Sequence, residues 1–209
     1  YLNSPESEVY HKSRVLYGIY ESKKAIAKED DCYLVEGYTD VIQLFQNGIK
    51  NVVSSSGTAL TTEQIRLIRR LTSNIVVLFD GDAAGLQAAI RGVDLILEQG
   101  MNVKICSFPE GEDPDSFAIS HSQEEINSYL KNEAKDFIEF KTDILLKEAK
   151  QDTVKKASTI REIVQSISKI PDPIQQEIYI KQCAVAMGIS EAVLFNSLAQ
   201  EQNKKQKAV

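Results

Sequence analysis

The chain has 209 residues, 43% of them hydrophobic and 26% charged, and it carries a net charge of −6 at pH 7. This is the composition of a globular protein that buries a core of its own, and no apolar run approaches the roughly 18 residues that cross a membrane. The excess of acid argues against a protein that merely coats DNA, because nucleic-acid binders are usually basic.

The first part of the chain predicts helices and strands in alternation. Residues 6–29 place apolar side chains among basic ones at helical spacing and predict a helix. Short apolar segments predict strands at 32–36, 51–55, 74–80 and 102–108, with helical stretches between them at about 39–47, 62–72 and 83–99. This alternation indicates βαβ units and a mostly parallel sheet, and continuous runs such as IVVLF fit strands covered on both faces.

From residue 121 onward the pattern is helical only. Apolar residues recur at spacings of three and four between Val154 and Ile170, PDP at 171–173 breaks that helix, and the next helix ends near Gly188. We therefore expect three parts: a leading segment and helix at 1–30, an α/β domain at 31–120, and an all-α helical bundle at 121–209.

The cysteines and histidines argue for a reducing environment and against zinc. Cys32, Cys106 and Cys183 lie far apart, none forms a C-x-x-C pair, and the first two fall in strand-like apolar runs. A cysteine in such a run usually behaves as a small buried hydrophobe. We therefore expect reduced thiols and a cytoplasmic location, while the two isolated histidines, His11 and His121, argue against a zinc site.

Acidic side chains follow three of the predicted strands. The six acids concerned are Glu36 and Asp40 after CYLV, Asp80 and Asp82 after NIVVLF, and Asp113 and Asp115 in the loop PEGEDPDS after NVKICSF. Functional groups in an open parallel sheet gather beyond the carboxyl ends of the strands, so we assign all six carboxylates to one edge.

So many negative charges at one edge repel one another unless a cation compensates them. Residues 1–120 hold 17 acidic and 11 basic side chains, which accounts for the whole net charge. Mg²⁺ prefers oxygen ligands, and one ion or a pair can bind phosphate oxygens and stabilise charge that develops in phosphoryl transfer. Gly37, Gly81 and Gly85 would let the backbone approach such a ligand.

Each acid also has a purely structural interpretation. Asp82 could cap the helix that follows it, DPD at 113–115 could be only a turn, and Asp40 could lie on a solvated helix face. Three acidic strand ends in one βαβ series favour the functional interpretation. The residues by themselves thus predict a Mg²⁺-dependent enzyme that acts on phosphates.

Four segments, taken in order, resemble a known family. They are LVEGYTD (34–40), SSGTALT (55–61), VVLFDGDAAG (76–85) and PEGEDPDSF (109–117). Together they resemble the Toprim domain, which bacterial primases, type IA and type II topoisomerases and some nucleases share. EGYTDV, FDGDAAG and GEDPDS, with the leading HKSRVLYGIYESKKAI, look most like the bacterial replicative DNA primases, in which a helical subdomain follows Toprim.

The resemblance implies a nucleotidyltransferase that makes short RNA primers on single-stranded DNA from ribonucleoside triphosphates. The 3′-hydroxyl of one ribonucleotide would attack the α-phosphate of the next, with release of pyrophosphate. Glu36, Asp80 and Asp82 would be catalytic residues and ligands of Mg²⁺, for which Mn²⁺ would substitute. The further acids around the metal would be Asp40, Asp113 and Asp115.

Basic residues have two interpretations as well. Lys12 falls in a family segment whose basic residues line the nucleic-acid path, and Lys23 and Lys24 follow it, so all three are candidate DNA contacts. The arginines at 66, 69 and 70 could also bind phosphates, but we favour their complementing the dipole at the end of a helix.

The chain opens on a polar stretch without methionine, so we expect a piece of a longer protein. Compared with the family, the N-terminal zinc-binding module, the first part of the polymerase core and the C-terminal helicase-binding domain would be missing. Zinc would then belong to a domain absent from this chain. The replicative helicase and single-strand-binding protein would be partners of the full-length protein. We expect a monomer without membrane contact, with millimolar-range affinity for Mg²⁺ and little primer synthesis by itself.

Three other functions remain open at this point. Another Toprim enzyme, a topoisomerase or nuclease, is the nearest, although the chain has little room for a topoisomerase's catalytic tyrosine domain. A phosphatase could use Asp80 as its nucleophile, but it would not need Glu36. The helical part could also be a non-catalytic adaptor that docks a replication partner.

Overall fold

The structure is a computed structural model, and it describes residues 6–8, 10–80, 83–109, 111–148 and 153–208. The chain divides into two compact units, Tyr1–Ala134 and Lys135–Val209. In the part of the chain that the structure describes, no helix has both the length and the apolar character that crossing a membrane requires.

The first unit is built on four parallel strands with helices between them. The strands are β1 (Cys32–Val35), β2 (Val52–Ser54), β3 (Asn74–Phe79) and β4 (Asn102–Ser107). The helices are α1 (Ile19–Glu29), α2 (Tyr38–Gln46), α3 (Thr62–Arg69), α4 (Ala83–Glu98), α5 (Pro114–Ser120) and α6 (Gln123–Glu133), with a 3₁₀ helix at Lys12–Arg14. Within this unit the order β2-β1-β3-β4 and the parallel pairing confirm the predicted sheet.

Strands β1, β2 and β3 are covered on both faces, as continuous apolar runs predict, whereas β4 alternates at its start between exposed and buried residues. Every residue of β1 is buried, and so is β3 from Ile75 to Phe79. Leu34 of β1 pairs in register with Val53 of β2 and Val77 of β3. Burial of a large apolar side chain contributes about 1.5–3 kcal/mol, so this core fixes the positions of the strand ends.

The leading helix is shorter than the sequence predicts. Among the described residues of 6–29 only the 3₁₀ helix and α1 form, and Tyr17 pairs with Ser54 of β2 before α1 begins. Gly18 precedes α1 with a φ of +82°, and a Cβ there would lie 2.9 Å from Val41 Cγ1. The chain therefore turns at Gly18. The sequence does not show this turn, because its apolar residues keep helical spacing on both sides of Gly18. Val9, which the sequence places on the helix, lies outside the described residues.

The buried side chain of Gln64 holds the segment that precedes this turn. Its Nε2 donates to the carbonyl oxygens of Lys12 and Val15 at 2.9 Å each, and its Oε1 accepts from Thr61 N at 3.0 Å. Hydrogen bonds from another element thus satisfy backbone groups that a helix would have satisfied locally.

Two helices, α5 and α6, follow β4 in the first unit. Ile126 and Leu130 bury α6 in the core of this unit, while Tyr129 stacks on Phe108 and donates to Ser107 O at 2.8 Å. The division between the compact units therefore follows α6, whereas the sequence-based boundary near residue 120 precedes it.

The second unit is helical apart from a two-residue strand, β5 (Lys135–Asp136). Its helices are α7 (Phe137–Glu148), α8 (Thr153–Ile167), α9 (Pro173–Met187) and α10 (Glu191–Ala208), which confirms the predicted helical subdomain. Pro173 occupies the first position of α9, and Gly188 ends it in the left-handed conformation, as predicted. Val154, the first apolar residue of the predicted series on α8, is 78% exposed.

Candidate active site

The sheet places the ends of β1 and β3 side by side at its carboxyl edge. In the first unit β2 is added to one side of β1, whereas β3 and then β4 are added to its other side. The direction in which successive strands are added to the sheet therefore reverses between β1 and β3. Ligands of open α/β sheets bind in the crevice at such a switch point. Glu36 directly follows β1 and Asp80 directly follows β3, so these two predicted residues flank the crevice.

Glu36 and Gly37 form the turn from β1 into α2. Glu36 is exposed, and its carbonyl oxygen accepts from Gly57 N at 3.1 Å. Gly37 N donates to Asp40 Oδ2 at 2.9 Å, so Asp40 closes the first turn of α2. A Cβ at Gly37 would lie 3.2 Å from that carboxylate oxygen, and glycine therefore allows the acid to approach the backbone this closely.

The burial of Asp40 corrects one expectation. The sequence allows this residue a solvated helix face, but only 9% of it is exposed. Burial and, after it, the charges of Asp80, Asp113 and Asp115 raise the pKa of Asp40 to about 6, although the hydrogen bond from Gly37 lowers it. Four of the six predicted acids therefore lie close enough for the charges of three to act on the fourth, Asp40.

Asp113 and Asp115 begin a helix rather than lie in a loop. Asp113 is the N-cap of α5, since its Oδ1 accepts from Ser116 N at 2.7 Å and from Ser116 Oγ at 2.6 Å. These bonds, the one from the hydroxyl foremost, lower the pKa of Asp113. Ser116 is absent from the predicted site residues, although an acid followed by Pro114 and then a serine at the third helical position is a recognisable capping pattern.

Two carboxylate oxygens near the start of α5 are buried without a partner. Asp115 Oδ1 and Glu112 Oε2 accept no hydrogen bond from the described residues. Burying an unpaired carboxylate oxygen is costly, and a bound cation would remove that cost. Glu112 is not among the predicted site residues. Its position in PEGEDPDS, next to two acids that are, could have identified it from the sequence.

Asp82, the remaining predicted ligand, lies outside the described residues. Among the residues that the structure describes, no three Asp, Glu, His or Cys side chains are grouped so as to hold a metal ion. The donors at this edge nevertheless fit a hard divalent cation, because they are carboxylate oxygens that repel one another and one of them is buried without a partner. Glu36, Asp80 and Asp82 stay a predicted metal-binding set.

A cavity of about 410 Å³ opens beside Glu36. Its lining comes from β1 and β3, from the loop 55–60, and from Arg91, Gly92 and Leu95 of α4. Ser56 and Gly57 turn that loop with positive φ angles, and Thr58 Oγ1 donates to Ser55 O at 2.7 Å. The edge that carries the acids therefore also offers a lined space for a ligand.

The predicted nucleic-acid contacts lie near the start of the chain. Lys12 lies in the 3₁₀ helix that Gln64 anchors. Lys23 and Lys24 are exposed on α1, with Lys23 Nζ 4.1 Å from the centre of the Tyr20 ring. A contact of these three lysines with DNA stays a prediction.

Two family models match the chain. Residues 33–118 match a Toprim-like family, and residues 138–192 match the DnaB-helicase binding domain of primase. The first match contains the acidic strand ends, and the second covers most of the helical unit. The second description names primases and does not apply to the other enzymes that share the Toprim domain, the topoisomerases and nucleases.

Curated relatives point the same way. The DNA primase of Halalkalibacterium halodurans is 36% identical over 203 residues, covering 97% of this chain and 33% of that protein. The DNA primase of Staphylococcus aureus is 36% identical over 198 residues, covering 95% of this chain and 33% of that protein. This chain is a relative of the bacterial DNA primases. It spans about a third of the length of the curated primases it matches.

Solved primase structures share the fold. A DNA primase domain from Pseudomonas aeruginosa matches with a TM-score of 0.81 at 32% identity, covering 95% of this chain and 63% of that one. A DnaG primase catalytic domain bound to ssDNA matches with a TM-score of 0.79 at 30% identity, covering 91% and 62%. These matches confirm a Toprim-like sheet followed by a helical subdomain.

The second family match also corrects one expectation about this primase relative. The sequence predicts that the helicase-binding part of the family is missing, whereas residues 138–192 match a model of that description. The physical reason is that apolar spacing reports which helix faces form the core of a bundle. It does not report which outer surface a partner binds.

Proposed function

We propose that this chain is the metal-binding part of a primase catalytic core and takes part in Mg²⁺-dependent synthesis of RNA primers on single-stranded DNA. The observation that supports the proposal is that Glu36 and Asp80 follow the two strands at the switch point of a Toprim-like sheet, while the charges of Asp80, Asp113 and Asp115 all act on Asp40. The relatives support the reaction class, a nucleotidyl transfer, and one of them is a catalytic domain bound to ssDNA.

In this proposal Glu36, Asp80 and Asp82 hold Mg²⁺ or Mn²⁺. The further acids around the ion are Asp40, Asp113 and Asp115. When bound, the ion supplies positive charge that binds nucleotide phosphates and stabilises the charge developing on them.

The chain's own residues prepare this site before any ligand arrives. Gly37 N fixes one oxygen of Asp40, and the hydrogen bonds from Ser116 hold Asp113 in place and lower its pKa. Glu36 stands exposed at the end of a buried strand, beside the cavity, so it can reach a substrate from a fixed position. Fixed donors and acceptors of this kind reduce the reorganisation that catalysis requires.

The chain would act as a piece of a longer primase in the bacterial cytoplasm. Its substrates would be ribonucleoside triphosphates, a DNA template and the growing RNA primer, with Lys12, Lys23 and Lys24 on the nucleic-acid path. The family match over 138–192 supports contact with the replicative helicase. Single-strand-binding protein would bind other parts of the full-length protein, and we expect this chain to be a monomer with little primer synthesis alone.

A titration with Mn²⁺, followed by electron paramagnetic resonance, tests the site in this chain. Glu36→Gln and Asp80→Asn should each weaken binding by about tenfold or more, because each removes a charged oxygen ligand. Asp31→Asn is the matched control, since Asp31 is a half-buried acid that precedes β1 at the opposite edge of the sheet. In full-length primase, Glu36→Gln should abolish primer synthesis.

Equal Mn²⁺ affinity in the wild type and in both edge variants would contradict the proposal. The match to a primase helicase-binding model favours a primase over a topoisomerase or nuclease. A phosphatase would instead form an aspartyl-phosphate at Asp80, and trapping that adduct would replace the present proposal.

A further inference from the structure

We propose that α9 docks the replicative helicase through an exposed apolar stripe formed by Ile174, Ile178 and Val185. The inference rests on the helicase contact proposed above, and it adds the surface that makes the contact. All three residues lie within the 138–192 match to a helicase-binding model.

Apolar side chains occupy two opposite sides of α9. One side is buried in the second unit and is formed by Ile180, Cys183, Ala184 and Met187. At 3.6 residues per turn, positions 174, 178 and 185 fall within about 40° of one another on the other side and extend over about 16 Å. Their side chains are exposed to 70%, 58% and 84%, respectively.

Neither the core nor helix formation accounts for this stripe. Scattered apolar residues on a surface are ordinary, but here three follow one line over three turns of a single helix. Isoleucine and valine are poorer helix formers than alanine, leucine or lysine, so local stability does not favour them at exposed positions. A helix that is apolar on both sides is typical of one that is buried on both sides.

The charges beside the stripe indicate what kind of surface it binds. Lys181 falls on the same side of α9 and pairs with Glu177 at 2.6 Å. Because Glu177 already compensates the positive charge of Lys181, the partner needs no acidic residue opposite the stripe. The geometry therefore fits a narrow apolar groove on the helicase, in the mode by which an exposed helix face lies in a hydrophobic groove.

The test is isothermal titration of the chain with the replicative helicase of the same organism. The double variant Ile178→Ser with Val185→Ser should bind at least about tenfold more weakly, because it removes two of the three apolar side chains that form the stripe. Serine forms helices about as well as isoleucine and valine, so α9 should stay intact. Val154→Ser is the matched control, since Val154 is 78% exposed on α8 and lies off the stripe, and its affinity should stay within about twofold of the wild type.

Each outcome has a defined meaning. If the double variant still binds the helicase as the wild type does, the stripe is not the docking surface, although the helicase contact itself stands. A wild-type chain that does not bind the helicase would overturn both, whereas the Mn²⁺ titration of the first unit would decide the catalytic proposal separately. Self-association that the double variant loses would assign the stripe to a second copy of this chain and also overturn the inference. If the double variant loses cooperative unfolding, the two single variants provide the same comparison.

Discussion

Asparagine in place of Asp40 should stabilise the metal-free protein at neutral pH. The substitution removes a negative charge that burial and three neighbouring acids oppose. It keeps the side-chain oxygen that accepts from Gly37 N at 2.9 Å, so the first turn of α2 should stay closed. The expected gain is therefore electrostatic.

Its size follows from the pKa of Asp40, which is raised from 3.8 to about 6. A shift of about 2 units corresponds to about 3 kcal/mol, and solvent at the site lowers the expected gain to about 1–2 kcal/mol. Because the folded pKa is the higher one, the wild type has this stability below about pH 4 and loses it as the pH rises through about 6. The gain from Asp40→Asn should be small at about pH 4 and complete at about pH 7.5, where it raises Tm by about 2–8 °C.

The assay is urea and thermal unfolding at the two pH values, with EDTA or with saturating Mg²⁺. Asp31→Asn is again the control, because burial raises the pKa of Asp31 to about 6 as well. Both variants should show the pH-dependent gain in EDTA, whereas Mg²⁺ should stabilise Asp40→Asn less than Asp31→Asn or the wild type. An equal gain at both pH values, or an equal response of all three proteins to Mg²⁺, would refute the reasoning.

Three further substitutions test the supports of the site and the second core. Gln64→Ala should cost about 2–4 kcal/mol in urea unfolding, because two backbone carbonyls lose their buried donor; a cost under about 0.5 kcal/mol would show that the leading segment is held otherwise. Ser116→Ala should raise the pKa of Asp113 toward its ordinary value in an NMR titration and destabilise α5 by about 0.5–1.5 kcal/mol, because it removes the hydroxyl bond and keeps the backbone one, and an unmoved pKa would contradict the role of the hydroxyl. Phe137→Ala should cost about 3–5 kcal/mol, because its ring is fully buried, with hydrogen exchange faster in the second unit; unchanged exchange there would contradict the assignment of this core.

The alternation of elements in the first unit could be predicted because the parallel strands are short, mainly apolar segments bounded by polar residues. The same property placed Glu36 and Asp80 at the sheet edge, since an acid that directly follows a buried strand must leave the core there. The switch point between β1 and β3 needed the strand order, which the sequence does not state.

The remaining features depend on contacts between distant parts of the chain. The turn at Gly18 is set by Val41 and by the bonds from Gln64, so helical spacing over 6–29 predicted too long a helix. The burial of Asp40 follows from the packing of α2 against the sheet and α5. The exposed apolar side of α9 likewise became visible only in the structure.

The central claim is that the acids at the carboxyl edge form a divalent metal site. Its most direct test is anomalous diffraction from crystals of this chain soaked in Mn²⁺. We predict a peak bounded by Glu36, Asp80 and Asp82, lost in crystals of Asp80→Asn. No peak at saturating Mn²⁺, or a peak only at the opposite edge beside Asp31, would contradict the claim.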